Sequence, residues 1–245
     1  MAVSLGDEAS GRICAGVKSL DFLLKEHMVL NGFMNIANLS FAAGPEGLPA
    51  AVASLEEQLG AEFKDGGFHP RFGTRNHILP LTRSQYLEVV EVLEHPAAEK
   101  APFGQAVRAR TEMGGGWLGW VMDVDDLQPY IDRLQREPVH GSRQFPDGRR
   151  LEWEQLGVKG LLNDPQLPYF IKWISEPSVR PSALGEGSVE LAKVEIAGNR
   201  SRVSEWLGFD LGDTFGGVEF EFTSPHGQPG IDAVTFRTLR GLVRI

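Results

Sequence analysis

The stretch GGFHPRFGTRNHILPL, Gly66 to Leu81, holds two histidines, two arginines and an asparagine in a turn-rich segment that becomes apolar. Imidazole is the commonest metal ligand and a general base near neutral pH, so His69 and His77 are the first residues to weigh for chemistry. Strand alternation splits GTRNHILPL into one face with Thr74, Asn76 and Ile78 and another with Arg75, His77, Leu79 and Leu81. Soon after, YLEVVEV sets Glu88 beside Tyr86, Leu87 and Val90 on a strand too apolar to solvate it. Burial raises the pKa of a carboxylate, and one tuned in this way can take a proton from a carbon next to a carbonyl. Lys172, in FIKWI, has two opposed uses: pairing with Glu88 and lowering that pKa, or steadying an enolate-like oxyanion. A buried Lys–Glu pair that only docks two halves of the chain is an equal reading.

The elements that must position these residues emerge from an internal duplication. NLSFAAGPEGLPAAVASLEEQLG aligns without gaps to WLGWVMDVDDLQPYIDRLQRE, so that Leu39 meets Leu118, Phe41 meets Trp120, Leu48 meets Leu127, Val52 meets Ile131 and Leu55 meets Leu134. Each copy reads as a short strand, a turn and an amphipathic helix, with Gly60 stopping the first helix. After the helices come a turn at Asp65-Gly66-Gly67 with strands GTRNHILPL and QYLEVVEV, and a turn at FPDG with strands RRLEWEQLG and YFIKWI. The repeating unit is β-α-β-β-β. APFGQAVRARTEMGGG reads as a helix joining the two copies, and its glycines follow a helix instead of opening one, the wrong order for a phosphate loop. SEPSVRPSALGEGS is a linker to a partial third copy made of LAKVEIAG, the helix RVSEWLG ending at Gly208, VEFEFTSP and AVTFRTL. The expected fold is α+β: paired βαβββ modules plus a partial third βαββ unit. The expected divisions are residues 1–33 as an N-terminal extension, 34–100 as the first module, 101–175 as the connecting helix and second module, and 176–245 as the linker and third unit.

Composition narrows the function classes. With 245 residues and 42% hydrophobic content the chain can bury a sizeable core, and its formal charge of -9, without lysine or arginine blocks, disfavours nucleic acid and anionic membrane surfaces. A single cysteine, Cys14, excludes an internal disulfide or a cysteine-rich zinc site and suits a reducing, cytoplasmic compartment. SLDFLLKEHMVL is interrupted by Asp21, Lys25 and Glu26 and predicts neither a signal peptide nor a membrane span, although Val17, Leu20, Leu24 and Met28 share one helical face. There is no G-x-S-x-G nucleophile elbow and no G-x-G-x-x-G dinucleotide fingerprint.

The paired modules, together with GGFHPRFGTRNHILPL, YLEVVEV, FPDGRRLEW and LPYFIKW, resemble the glyoxalase-like proteins of the vicinal-oxygen-chelate superfamily, which also contains glyoxalase I, extradiol dioxygenases and antibiotic-resistance proteins. The resemblance runs from Ile36 to Trp173 and more weakly through the tail. It implies that the two modules curl their sheets into a cupped mixed sheet, with metal ligands, where present, on the first and last strands of each module. Here the first-strand position is Asn38 in place of histidine; Glu88 keeps the carboxylate; the second module offers Trp117, Leu118 and Gly119, and its last strand has Lys172. That set predicts no tight transition-metal site and no cofactor, while Asn38 with Glu88 leaves room for a weak Mg or Ca.

If Glu88 points into the cup, as the resemblance implies, Thr74 and Asn76 point there too and His77 is structural, hydrogen-bonded on the helix-covered side. His69 lies near the rim and is either a general base or a stabiliser of the turn before Pro70. Tyr86, Trp117 and Trp153 are expected ligand walls, within a second module whose aromatics Trp117, Trp120, Trp153, Tyr169, Phe170 and Trp173 divide between cavity and core. Arg143 is either an anchor for an anionic ligand group or an ordinary solvated arginine. Two functions follow. One is a metal-independent or weakly metal-assisted lyase or isomerase for a small carbonyl or aromatic compound, with Glu88 as base and Lys172 and His69 as catalytic partners. The other is a non-catalytic protein that sequesters a small amphipathic ligand. A homodimer is compatible with either.

Overall fold

In β1 (Met34–Ala42) and β4 (Tyr86–Val92), five consecutive residues of each strand are buried, the pattern of strands covered on both faces. They pair in parallel, Ser40 lying opposite Glu88. The structure is a computed structural model and describes residues 34–145, 148–224 and 226–245, without the side chain of Gln144. Cys14 and the amphipathic segment Val17–Met28 lie outside the described residues.

The first module continues with α1 (Leu48–Leu59), which buries Leu48, Val52, Leu55 and Leu59 at helical spacing and ends at Gly60, whose φ of 64° is the left-handed conformation of a helix stop. Then come β2 (Lys64–His69) and β3 (Thr74–Pro80), so that β4 pairs with β3 on one side and β1 on the other. Two helices, α2 (Pro96–Lys100) and α3 (Pro102–Glu112), lead to the second module: β5 (Gly116–Val124), α4 (Gln128–Leu134), β6 (Val139–Gln144), β7 (Arg150–Leu156), α5 (Gly160–Asn163) and β8 (Tyr169–Trp173). β1 and β5 run antiparallel at the centre and join the modules into one eight-stranded sheet, ordered β2-β3-β4-β1-β5-β8-β7-β6. The two halves are mirrored in order. This is the expected mixed α+β fold of βαβββ modules.

The third unit is larger than the sequence predicts. β9 (Glu190–Ala197), α6 (Arg200–Leu207), β10 (Thr214–Phe215), β11 (Val218–Thr223), β12 (Gly230–Thr238) and β13 (Gly241–Arg244) build a five-stranded sheet. β9 pairs with β11 in parallel and with β12 antiparallel, the same relations that β1 has with β4 and β5. This sheet packs on one face of the large one: Phe236 stacks on Trp117 at 6.2 Å, Phe220 tilts against Trp120 at 5.4 Å, and Trp206 of α6 stacks on Phe170 at 6.3 Å. Burying aromatics of this size contributes roughly 2–3 kcal/mol each, which a lone short sheet cannot supply.

The opposite face of the large sheet holds a second, smaller apolar cluster. Phe103, Ala106 and Val107 of α3 join Ala42, Val90, Leu118 and Val121 there, and Leu161 of α5 joins Trp153, Tyr169 and Ile171. The connecting helix therefore fills part of the cup. What remains open is a small polar-floored cavity.

Candidate active site

A β-bulge sets the floor. The register of β1 against β5 slips between Ile36 and Asn38, so both Ala37 and Asn38 face the cup, and alternation then returns Ser40 to the same side. Asn38 and Ser40 thus converge on Glu88 of the neighbouring strand. Ser40 Oγ donates to Glu88 Oε1 at 2.5 Å, Asn38 Nδ2 reaches the same oxygen at 3.4 Å and Ser40 Oγ at 3.3 Å, and Asn76 Nδ2 donates to Glu88 Oε2 at 2.8 Å. Glu88 is 6% exposed. Burial pushes its pKa up, and the donors Ser40 and Asn76, the charge of Arg143 and the donor Asn38 pull it back.

The cavity above this floor has a volume of about 40 Å³. A single water needs roughly 10–15 Å³ by that measure, so there is room for a few waters or the reacting end of a small organic molecule. Its polar lining is His69, Asn76, Tyr86, Glu88, Arg143, Gln155 and Tyr169; Trp153, Trp173, Phe72 and Phe103 form its aromatic walls. Tyr169 lines the cavity beside Ser40 and Glu88, both of which bear on its phenol. Burial and the nearby Glu88 keep both Tyr86 and Tyr169 in the phenol form. A phenol has one O–H to donate, and both of these line the cavity.

His69 enters the cavity from the end of β2, its ring at 6.2 Å from Trp153 and its Nδ1 at 3.1 Å from Thr74 Oγ1. Burial and the charge of Arg143 pull its pKa down to about 3, so its imidazole is neutral across the physiological range. Thr74 serves His69 and not the floor. Trp153 lies on the wall and donates from Nε1 to Gln155 Oε1 at 3.2 Å, with Gly141 packed so closely beneath its ring that a Cβ there would meet Cε2 at 2.2 Å. Only glycine fits under that indole.

Two expected site residues stand elsewhere. Along β8, Tyr169, Ile171 and Trp173 line the cavity and Phe170 packs into the opposite core, so Lys172 points away from the cup, opposite Glu154 of β7. Trp117 stacks on Phe236 and donates from Nε1 to the Ile245 carbonyl at 3.0 Å, which seats it in the core beneath the third unit. A second irregularity, between Ser40 and Phe41 against β5, reverses the parity that would have turned Trp117 inward. His77 is on the helix-covered side, as alternation predicts, but its Nδ1 is buried without a hydrogen-bond partner. Ser40 and Tyr169 are site residues that the sequence reading missed. Ser40 was legible as the residue two beyond Asn38. Tyr169 was hidden among aromatics divided between cavity and core.

Among the described residues, no three His, Cys, Asp or Glu side chains gather as a metal site. The floor has one carboxylate whose two oxygens already accept from Ser40, Asn38 and Asn76, and the nearest cationic influence is Arg143. That donor set does not fit a transition metal.

A family model for the glyoxalase-like domain matches residues 41–208, more than half of the chain. The chain belongs to the glyoxalase-like domain family. It is thereby a member of the vicinal-oxygen-chelate superfamily, in accord with the strand order and the cup. A hypothetical protein from Staphylococcus aureus superimposes with a TM-score of 0.63 at 16% identity, over 86% of this chain and 98% of the other. Methylmalonyl-CoA epimerase from Mycobacterium tuberculosis superimposes with a TM-score of 0.38 at 12% identity, over 56% of this chain and 85% of that one. The first likeness shows the shared fold; the second is too loose to carry chemistry across. No curated protein sequence matches the chain. No helix among the described residues is long and apolar enough to cross a membrane.

Proposed function

We propose that this glyoxalase-like protein is a metal-independent isomerase or lyase in which Glu88 takes a proton from a carbon adjacent to a carbonyl. The observation that carries this reading is one buried carboxylate, held by three donors at the floor of an aromatic-walled cavity, with its pKa raised by burial. In the first step the C–H bond breaks, the proton moves to Glu88, and the electron pair moves onto the carbonyl oxygen to give an enolate. Tyr169 and Tyr86, both phenols on the cavity wall, supply the donors for that oxygen, one of the uses that the sequence leaves open for Lys172. Return of the proton to the other face or a neighbouring carbon completes an isomerisation; departure of a β-substituent completes an elimination. His69, neutral and fixed by Thr74, orients substrate through a hydrogen bond and carries no proton in bulk exchange.

The test is exchange of carbon-bound hydrogen in D₂O, followed by NMR for a panel of small 2-oxo and 2-hydroxy carbonyl compounds. The protein catalyses exchange for at least one of them, and Glu88→Gln abolishes it while leaving binding intact. Binding without exchange across the panel would assign the cup to sequestration instead. A small-molecule ligand in a cytoplasmic setting suits both outcomes.

A further inference from the structure

We infer that the cup recognises a small organic monocarboxylate, its carboxylate paired with one edge of the Arg143 guanidinium and its apolar body against the aromatic walls. This rests on the cup being the reactive site proposed above, but not on Glu88 acting as base. Arg143 comes from β6 and is 2% exposed, yet it lines the cavity. Its Nε and Nη2 are both buried without a hydrogen-bond partner, and among the described residues it makes no ion pair. Its guanidinium carbon sits 4.5 Å from the centre of the Phe145 ring, a contact that leaves the in-plane donors unused. An arginine stays charged even when desolvated, so a buried, unpaired guanidinium is a strong demand for an anion.

The pattern of unused donors selects the anion. Nε and Nη2 form one side of the guanidinium, two parallel N–H vectors that match the two oxygens of a carboxylate; both are shielded in this structure, so a carboxylate reaches them by a turn of the side chain toward the cavity that it already lines. Glu88 and Asp65 bear on the Arg143 charge without either forming an ion pair with it, and Glu88 is held in place by Ser40, Asn38 and Asn76 with a lone pair on Oε2 left for a substrate proton. A dianionic phosphate would need further cations, whereas His69 is neutral and, among the described residues, Arg143 is the one cationic side chain lining a cavity of about 40 Å³. Trp153, Trp173, Phe72 and Phe103 then leave an apolar or aryl group as the body of the ligand.

The test uses phenylacetate and its neutral isostere phenylacetamide, titrated by calorimetry and by tryptophan fluorescence, with benzoate and 3-methylbutanoate as further carboxylates. The wild-type protein binds at least one carboxylate, and phenylacetate about tenfold or more tightly than the amide, the effect of one charge-assisted bidentate contact. Arg143→Met removes that preference, and Arg143→Lys, which keeps the charge but not the flat edge, retains part of it; the second variant decides the matter if the first does not fold. Glu88→Gln keeps the preference while losing hydrogen exchange, which separates failure of this inference from failure of the base assignment. Equal affinity for acid and amide, a preference that survives Arg143→Met, or no binding of any of the three carboxylates at millimolar concentration overturns it.

Discussion

Ser40 and Glu88 stand directly opposite each other on the parallel β1–β4 pair, and the Ser40 hydroxyl donates to the Glu88 carboxylate at 2.5 Å. The hydroxyl favours the charged form of a group that burial drives toward the neutral one. Ser40→Ala removes that counterweight, so the Glu88 pKa rises further. Because abstraction needs the carboxylate, the acid limb of the kcat/KM profile for hydrogen exchange moves to higher pH, and activity at high pH is largely kept. A profile that does not move would sever Ser40 from the chemistry.

Asp123, near the end of β5, gives a pH signature of its own. Its carboxyl is pushed up from 3.8 to about 6, chiefly by burial and against the pull of Arg180, whose Nη1 lies 3.8 Å away. Between those two values the folded protein holds a proton that the unfolded chain has released, so this group's contribution to stability falls as pH rises through the window. Each tenfold change in proton affinity is worth about 1.4 kcal/mol, which sets an upper bound of roughly 3 kcal/mol on the loss. Asp123→Asn should therefore gain stability over the wild type at pH 7.5 and lose the advantage near pH 4, as read by urea denaturation. His69 titrates with the opposite slope in the unfolded chain, but it is common to both proteins and cancels in the difference.

The paired modules, the site of Glu88 and the inward set Thr74, Asn76 and Glu88 were legible because period-two alternation and a duplicated pattern are local properties of sequence. β2 and β6 were not, and the reason is glycine. Gly66 read as a turn former and Gly141 fell in no expected element, yet both lie within strands where a neighbouring side chain, Asn76 or Trp153, occupies the space of a Cβ. The two register slips of β1 against β5 were equally hidden, since a bulge depends on the partner strand. One of them turns Asn38 toward Glu88; the other takes Trp117 away from the cup. Arg143 is placed by β6, a strand absent from the sequence reading, so the choice between a ligand anchor and a solvated arginine stayed open there.

Trp117 and Lys172 supply a pair of controls that follow from their placement. Trp117→Ala removes the stack on Phe236 and the bond to the Ile245 carbonyl, with an expected cost of about 3–5 kcal/mol in unfolding free energy. Lys172→Met, on the face turned from the cavity, should change stability by less than about 0.5 kcal/mol. Hydrogen exchange and carboxylate affinity should remain near wild type for Lys172→Met, and for the folded fraction of Trp117→Ala. A large loss of kcat in Lys172→Met would return that amine to the cup.

Gly66 offers the sharpest test of how the floor is held. A Cβ at residue 66 would lie 2.0 Å from Asn76 Oδ1 and 2.9 Å from Ile78 Cδ1, closer than packed atoms tolerate. Gly66→Ala must therefore displace the Asn76 amide, and with it the 2.8 Å bond from Nδ2 to Glu88. The expected cost is about 1–3 kcal/mol in stability, together with a fall in hydrogen exchange, although residue 66 touches no substrate. If the clash acts through Asn76, truncating that side chain relieves it. Asn76→Ala alone is harmful, but adding Gly66→Ala to it should cost markedly less than Gly66→Ala does in the wild type, a coupling that a double-mutant cycle measures directly. Additive losses would mean that the glycine serves the strand's backbone and not the amide that steadies Glu88.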